Sequence, residues 1–378
     1  MGKPVEFRFE SIDYDLTVGR DDERFRGVPR RSGVFRIFDV HGKLMILEKT
    51  HNLWQRIERF YFPEDGDSRT LDLGRITGRI EFCRTDSPME TLFLLYHERR
   101  RWFPETYRQM RTFPLFHLMK INRRQRFPRI YLARQIKQGV DYFGPFFSRS
   151  QLERLKTTLE RAFKIRPCQH NIREDDPYPD CLYFQMRTCS RPCNSDIDRQ
   201  GYLEDIDRAI AFIQGDDEKI ALPLVERMKK LSEETRFEEA ERIRRRLDRL
   251  ERARRDHREI YFDVREFNFV AVMDSDSVKR KKIAFIRSGY ILGIEEHDVE
   301  GLGPVMEEAV RNHYAGGLAE SDQDRQYDEF CLVTSFMMKP VQSVRLVPVL
   351  EPAETSAQIT DHLKSRKKQV QTNVDFVA

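Results

Sequence analysis

Four cysteines are the residues of this chain with the clearest chemistry. Cys168, Cys181, Cys189 and Cys193 fall within 26 residues, with the spacing C-x12-C-x7-C-x3-C. Four thiolates gathered in one short segment suit a zinc ion or an iron–sulfur cluster. The segment is rich in proline and aspartate, which predicts a loop that a metal would fix. The spacing does not choose between the two metals, and four unrelated thiols are the plain alternative.

A second stretch has the composition of a nucleic-acid contact. From Arg99 to Lys137 the chain carries ten arginines and two lysines against one acid, Glu105, with aromatic residues interleaved. Guanidinium groups suit phosphates, and aromatic rings suit stacking on unpaired bases. The alternative is a solvated basic face above ordinary core aromatics. The candidate DNA contacts in this stretch are Arg99, Arg101, Arg123 and Arg124.

The whole chain has 378 residues, which predicts two or three domains rather than one. Its formal net charge is only +4, and 27 Phe and 13 Tyr exclude a fully disordered chain. No run approaches the roughly 18 apolar residues of a membrane span, and the first residues lack the apolar core of a secretory signal. We therefore expect a soluble cytoplasmic protein with no membrane partner.

The elements that position these residues follow from local patterns. Residues 33–39 and 44–47 alternate and flank a turn, which predicts a β-hairpin. Asn52 is placed to cap a helix through about Tyr61, and a further helix is predicted from Ser87 to Trp102. Residues 201–215 and 221–256 have helical periodicity, the second with a break near Arg236. The break predicts a helical hairpin, whose apolar stripe serves either internal packing or docking of a partner.

The last hundred residues differ in character. The pattern predicts strands at 267–273, 282–286 and 290–294, a helix at 305–314, then strands at 330–333 and 344–349. A polar, mobile tail is expected from Glu351. The fold class is thus α/β multidomain. The predicted domains are 1–27 (an N-terminal extension), 28–110 (α/β), 111–200 (basic linker and cysteine segment), 201–256 (helical), 257–351 (small α/β domain) and 352–378 (tail).

Several of these stretches, in the same order, resemble the UvrC family, the nuclease subunit of the bacterial excinuclease. Residues 33–39 and 42–56 resemble its GIY-YIG nuclease signature, and residues 142–146 its YFGPY. Residues 181–193 resemble its cysteine motif, and 224–250 its UVR motif. The resemblance spans roughly 28–315. It implies a short homologue without the family's C-terminal ribonuclease H-like endonuclease and helix-hairpin-helix elements, although the βββαβ order at 260–335 is itself ribonuclease H-like.

The resemblance also assigns roles to particular residues. The family's four cysteines hold an iron–sulfur cluster, so a [4Fe–4S] cluster is preferred here over zinc. The UVR hairpin binds a matching hairpin of UvrB. Thr235 and Glu241 stand where the family has Leu and Ala, which weakens that expectation. The residues of this hairpin expected to contact UvrB are Met228, Phe237, Ala240, Arg244 and Leu247.

The nuclease signature is where this chain departs from the family. Phe35 and Ile46 replace its two motif tyrosines, and Glu48 replaces a glycine. Leu95 falls where the family has its metal-binding Glu. Each lost catalytic group costs about 10²–10⁴-fold in rate, so we expect no intact catalytic set. Lys49 and Arg56 remain from the motif, and with Asn52 they are expected to hold a DNA phosphate without hydrolysing it.

Two functions follow from the resemblance. The first is a non-catalytic nucleotide-excision-repair protein that binds UvrB and damaged double-stranded DNA. The alternative is an active GIY-YIG-type endonuclease with a rearranged site, using Tyr61 and either Glu98 or Glu90 with Mg²⁺ or Mn²⁺. A weaker third reading is a partner for a separate protein such as another nuclease.

Overall fold

The computed structural model describes residues 3–4, 6–14, 25–62, 73–170, 172, 181–194, 196–256, 261–316, 318 and 322–374. The strands are β1 (Lys3–Pro4), β2 (Glu10–Asp13), β3 (Gly33–Asp39), β4 (Leu44–Thr50), β5 (Thr77–Arg84), β6 (His117–Ile121), β7 (Ile130–Ala133), β8 (Asp141–Phe146), β9 (Phe262–Asp263), β10 (Phe269–Asp274), β11 (Arg280–Arg287), β12 (Tyr290–Asp298) and β13 (Val344–Pro348). The α-helices are α1 (Leu53–Tyr61), α2 (Leu73–Ile76), α3 (Pro88–Trp102), α4 (Arg149–Ala162), α5 (Leu182–Gln185), α6 (Arg199–Gln214), α7 (Asp217–Glu233), α8 (Phe237–Asp256), α9 (Leu302–Tyr314), α10 (Gln323–Met338) and α11 (Pro352–Val374).

These elements form two compact units. The first contains Met1–Pro114, Asn268–Gly317 and Glu329–Ala378, and the second contains Leu115–Phe267 and Leu318–Asp328. The mixed α/β, multidomain character predicted from the sequence is confirmed at this level. The first unit is discontinuous along the chain, which local sequence patterns do not predict.

The first sheet of unit one is antiparallel, with the order β2-β5-β3-β4. Alternation along β3 sends Phe35 and Ile37 into a core with Leu53 of α1, while Val34 packs with Leu94 of α3 on the other face. The predicted β-hairpin and both helix starts are confirmed. Asn52 Oδ1 accepts the N–H of Gln55 at 3.1 Å, and Ser87 Oγ accepts the N–H of Glu90 at 3.1 Å. Such caps satisfy backbone donors that a helix cannot pair internally.

The second sheet of unit one has the order β1-β12-β11-β10-β13 and is antiparallel throughout. Helices α9 and α11 supply Met306, Val310 and Ile359 to its core, which includes Val270 and Phe285 of the sheet. Two predictions were wrong here. Residues 330–333 belong to helix α10, and Pro352–Val374 form helix α11, where a polar, mobile tail was expected.

These two errors have physical causes. Phe330 to Val333 are all buried, and a short apolar run of this kind looks the same in a buried helix and a buried strand. Leu363 of α11 lies in the same core as Ile359, so packing holds a helix whose sequence is mostly polar. Since two helices precede β13, which pairs antiparallel with β10, the predicted ribonuclease H-like βββαβ order does not form.

Unit two is built on the antiparallel sheet β7-β6-β8-β9. Its core joins Phe143 and Phe146 of β8 to Leu159 of α4 and Tyr202 of α6. Most of the segment expected to be a basic linker is therefore folded. The prediction missed its three strands and α4 because the arginines between short apolar runs hide their alternation.

The predicted helical hairpin is confirmed as α7 and α8. The break falls at Glu234 to Arg236, where Thr235 has a positive φ of 57°. The end of the hairpin away from this turn packs through Leu250 and Ala253 into the core of unit two. The turn end thus forms the tip of the hairpin.

Candidate functional site

The positions of the two motif tyrosines are part of the hydrophobic core of unit one. Phe35 is fully buried, and its ring centroid lies 5.9 Å from that of Phe60 in an edge-on arrangement. Ile46 packs against the same core. Neither side chain carries a group that can accept or donate a proton, so these two positions contribute packing rather than acid–base chemistry.

The retained arginine of the motif is held by an acid of this chain. Arg56 donates from Nη2 and Nε to Glu48 Oε2, at 2.9 and 3.2 Å, and its guanidinium lies 4.8 Å from the centroid of the Phe60 ring. Glu48 is directly opposite Phe35 in the β3–β4 register. At this position, where the family motif has a glycine, the chain thus places a carboxylate on the Phe35 face of the sheet. The negative charge of Glu48 offsets the positive charge that Arg56 would offer to a phosphate.

The other two retained residues, Lys49 and Asn52, differ in whether the fold already engages their side chains. Lys49 is exposed, next to Glu48 on β4. Asn52 uses its side-chain oxygen to cap α1, so that oxygen is already engaged. Lys49 is opposite Val34 in the β3–β4 register, so its side chain lies on the other face of the sheet from Glu48 and its partner Arg56. The DNA contacts of Lys49, Asn52 and Arg56 stay a prediction.

The carboxylates proposed for a rearranged site point elsewhere. Leu95, at the position of the metal-binding Glu, is buried in the core on the α3 face. Glu98 pairs with Arg36 and accepts the Trp102 indole N–H at 3.2 Å on that same face. Phe35 lies on the opposite face of the sheet. Glu98 is thus held away from the face that carries the motif.

Glu90 and Tyr61 are also engaged in the fold. Lys282 Nζ lies 2.6 Å from Glu90 Oε1 and 2.8 Å from Asp86 Oδ2, and Glu90 has no exposed surface. Burial raises the pKa of Glu90, against the charge of Lys282. Tyr61 stacks on Tyr14, with ring centroids 4.5 Å apart, and burial raises the pKa of its hydroxyl. These groups do not gather into one site with Arg56.

Of the predicted DNA contacts in the basic stretch, two are engaged by other groups of the protein and two are exposed. Arg99 is half-buried and donates to the Met110 carbonyl oxygen. Arg123 pairs with Asp141 at 2.7 Å and with Asp207 at 2.6 Å. The other two, Arg101 at the end of α3 and Arg124 beside Gly139, are exposed. Proximity to acids therefore sets Arg123 apart from Arg101 and Arg124.

The four predicted metal ligands are free thiols that influence one another. Burial raises the pKa of Cys189 to about 12, and the charges of Cys168, Cys181 and Cys193 act in the same direction. The backbone N–H of Arg191 lies 3.4 Å from Cys189 Sγ. Metals bind cysteine as the thiolate, so a metal held by these residues would have to displace the protons that burial and the neighbouring cysteines help to retain on Cys189. Among the described residues, no three His, Cys, Asp or Glu side chains are arranged to hold a metal ion.

The tip of the helical hairpin presents an aromatic side chain to solvent. Phe237, the first residue of α8, is 65 % exposed, whereas Ala240 and Leu231 are buried between the helices. The other predicted UvrB contacts, Met228 and Leu247, are half-buried.

Arg244, the remaining predicted UvrB contact, is occupied. Its Nε lies 2.7 Å from Glu241 Oε2, and Arg245 lies 2.9 Å from the other oxygen of that carboxylate. The acid that departs from the family motif therefore binds an arginine that the motif retains.

One exposed apolar group was missed by the motif comparison. Leu182, Tyr183 and Phe184 of α5, with Met186 after it, are exposed beside Cys181. The guanidinium of Arg191 lies 4.0 Å from the centroid of the Phe184 ring. The run of apolar residues directly after a cysteine was the signal available in the sequence.

Comparisons with known proteins agree on one family. Residues 116–212 match the model of the UvrC/Cho excinuclease middle domain. The UvrABC system protein C of Thermoanaerobacter sp. (strain X514) is 26% identical over 304 residues, 78% of this chain and 49% of that protein. That of Rickettsia bellii (strain RML369-C) is 31% identical over 225 residues, 59% and 35% respectively. That of Lachnospira eligens (strain ATCC 27750) is 25% identical over 366 residues, 93% and 55%.

The chain thus spans about half the length of the first of these relatives. No solved structure gives a significant match. No helix of the described residues is long and apolar enough to cross a membrane.

Proposed function

We propose that this chain, a UvrC-like protein, works in nucleotide excision repair by binding UvrB and damaged double-stranded DNA without cutting either strand. The relatives bear the name UvrABC system protein C, and the matching family model is that of an excinuclease middle domain. These names support a role in the same repair system. The non-catalytic part of the proposal depends on this chain's own residues.

The observation that carries the non-catalytic reading is the ion pair between Arg56 and Glu48. An arginine that stabilises a phosphate in the transition state must offer its charge to that phosphate. Here Nη2 of Arg56 lies 2.9 Å from a carboxylate oxygen. The residues at the proton-transfer and metal-ligand positions, Phe35 and Leu95, are buried hydrocarbons. Rearrangement of one side chain would not restore all of these functions.

The hairpin tip supports the UvrB part of the proposal. An exposed phenylalanine at the start of a helix is a suitable hot-spot anchor, because burying its ring against a partner removes a large apolar area from water. Phe237 is 65 % exposed, and the half-buried Met228 and Leu247 supply further apolar surface on the same hairpin. A matching hairpin of UvrB is the proposed partner.

We also propose that Cys168, Cys181, Cys189 and Cys193 hold a [4Fe–4S] cluster, with zinc as the second candidate. Bound there, the group would cross-link a cysteine segment that includes only short helical turns. The test is anaerobic reconstitution with iron and sulfide, followed by metal analysis. About four irons per chain, lost in Cys181→Ser, are expected. Zinc retained in place of iron would overturn the cluster assignment.

The incision assay tests the non-catalytic proposal directly. Anaerobically purified protein is added to a lesion-bearing duplex already loaded with UvrB, in Mg²⁺ or Mn²⁺. We expect no nick and stable retention on the UvrB–DNA complex. A metal-dependent nick that is abolished in Arg56→Ala would overturn the proposal and favour the alternative, a GIY-YIG-type endonuclease rebuilt from other residues.

A further inference from the structure

A basic groove of about 570 Å³ runs between α4 and α8 in unit two. It was not among the sites predicted from the sequence, because its two helices are far apart in the chain. The side chains that give it its character are those of Arg154, Thr158, Arg161, Arg249 and Arg252.

The charge of this groove is not neutralised within the described part of the chain. No acid there lies within ion-pair distance of the guanidinium groups of Arg154, Arg161 or Arg249, and all three side chains are exposed. Arg252 donates only to a backbone carbonyl oxygen, that of Asp248, at 3.2 Å. The groove therefore has several guanidinium groups able to accept an external anion.

One acid does line the groove, and it is already paired. Glu153 Oε1 lies 2.8 Å from Arg149 Nε. The tip half of the same helix α8 differs, because Arg242 and Arg245 pair with Glu238 and Glu241. The unpaired charge is thus concentrated at the end of α8 that faces α4.

The spacing of the arginines suits an extended anion. Arg154, Thr158 and Arg161 stand at i, i+4 and i+7, so they share one face of α4. At 1.5 Å per residue, the two arginines are separated by about 10 Å along the helix. Arg249 and Arg252 share a face of α8 at i and i+3. Two rows of guanidinium groups along an open groove match successive phosphates rather than one small ion.

We infer that the groove between α4 and α8 binds the phosphate backbone of nucleic acid. The inference rests on the proposed function, and it names the surface of this chain on which DNA lies. All four cationic side chains are arginine, whose planar fork binds phosphate oxygens in pairs. The apolar lining is limited to the small Ala253, so the groove lacks the pockets that a protein partner's anchor residues require.

The test compares two double variants of the full chain that remove the same charge. Arg154→Ala/Arg249→Ala removes groove arginines, and Arg242→Ala/Arg245→Ala removes paired arginines of the same protein. Binding of a fluorescein-labelled duplex of mixed sequence is followed by anisotropy between about 50 and 200 mM salt. Circular dichroism checks folding, which exposed Arg-to-Ala changes in a helix should preserve.

The groove variant should bind the duplex tenfold or more weakly at about 0.1 M salt. The plot of its log association constant against log salt concentration should be less steep by about 2. The paired-arginine variant should stay within about threefold of the unmodified chain. Equal losses in the two variants, or no loss in the groove variant, would overturn the inference.

UvrB binding, measured on the same proteins, separates this inference from the proposed function. We expect the groove variant to bind UvrB as the unmodified chain does. Loss of UvrB binding by the groove variant, with the duplex still bound, would make the groove a protein-docking face and overturn the inference alone. An unmodified chain that binds UvrB but no duplex would instead refute the DNA part of the proposed function, and the groove with it.

Discussion

Helices α3 and α8 carry similar charged residues but use them differently. In α3, Glu90 is completely buried against Lys282, and Glu98 is buried against Arg36 of β3. In α8, charged side chains such as Arg242 are exposed and pair with acids of the same helix. Charges that are paired across a core hold the fold together, and exposed pairs within a helix contribute little to it.

The contrast between buried charges in α3 and exposed charges in α8 indicates which helix can bind a partner. Substitutions that unpair the charges of α3 should reduce the stability of unit one, since a buried charge would lose its partner. Substitutions of exposed side chains of α8 should leave stability nearly unchanged, and those at the hairpin tip or in the groove should alter association with UvrB or DNA. Each of the following changes tests one side of this contrast.

The largest effect is expected for Lys282→Met. The change leaves Glu90 and Asp86 without their shared ammonium group, which lies 2.6 and 2.8 Å from their oxygens. The free energy of unfolding should fall by about 3–5 kcal/mol, measured by urea denaturation. The double variant Lys282→Met/Glu90→Leu should recover part of this loss. A double variant no more stable than the single one would show that the buried charge is not the cause.

The pH dependence of the same group has a definite sign. Burial lowers the pKa of Lys282, but Glu90 and Asp86 outweigh burial and raise it above the ordinary value. A cation with a raised pKa in the folded state stabilises the fold below its unfolded pKa, and that contribution is lost as the pH rises through the folded value. Denaturation above about pH 10.4 should therefore narrow the difference between the unmodified chain and Lys282→Met.

Next in size is Phe237→Ala at the hairpin tip. Because the ring is 65 % exposed, its removal should barely change the melting temperature. Binding to UvrB, measured by calorimetry, should weaken by about 2 kcal/mol or more, roughly 30-fold. Leu222→Ala, an exposed apolar residue elsewhere on α7, is the matched control and should bind normally. Equal binding by both variants would remove the tip as the docking surface.

A smaller effect is expected for Arg56→Ala. Since Glu48 already binds this guanidinium, its loss should change duplex affinity by less than about threefold. Glu48→Gln should have the opposite consequence, because it frees Arg56 for a phosphate, and affinity should rise by up to about tenfold. Anisotropy titrations at one salt concentration measure both. A large loss in Arg56→Ala would show that the ion pair opens when DNA binds.

The smallest effect is expected for Glu241→Ala, which restores the residue type of the family motif. The change releases Arg244, whose Nε is 2.7 Å from the Glu241 carboxylate. UvrB affinity should rise by a few-fold, with a stability change within about 0.5 kcal/mol. Glu251→Ala, exposed on the same helix, is the control for net charge. An equal gain from both changes would indicate a general effect of charge.

Local sequence signals predicted much of this fold. The cap at Asn52, the helix start at Ser87 and the hairpin break near Arg236 are short-range features, and each lies where the pattern indicated. The strands of residues 117–146 were missed, and the apolar run at 330–333 was assigned to the wrong element. Their conformations depend on distant segments that bury them, which periodicity does not report.

The candidate site divides in the same way. Residue types at Phe35 and Leu95 predicted the loss of catalytic groups, because chemistry that a side chain lacks is visible without a structure. The ion pair of Glu48 with Arg56 could not be predicted in this way, because it depends on how β4 lies against α1. The groove lined by Arg154 and Arg249 could not be predicted either, because it forms where two helices that are far apart in the sequence pack together. Pairing between distant segments is a tertiary property.

The discontinuous first unit sets an order for its assembly on the ribosome. Glu90 is synthesised with the first 114 residues, but its partner Lys282 follows only after residues 115–267. At translation rates of 5–20 residues per second, the nascent chain waits roughly ten seconds or longer with that carboxyl group unmatched. Strand β1 waits still longer for β12, because Lys3 pairs with Glu296. A nascent chain stalled near residue 267 would therefore present an unfinished first unit to chaperones and proteases.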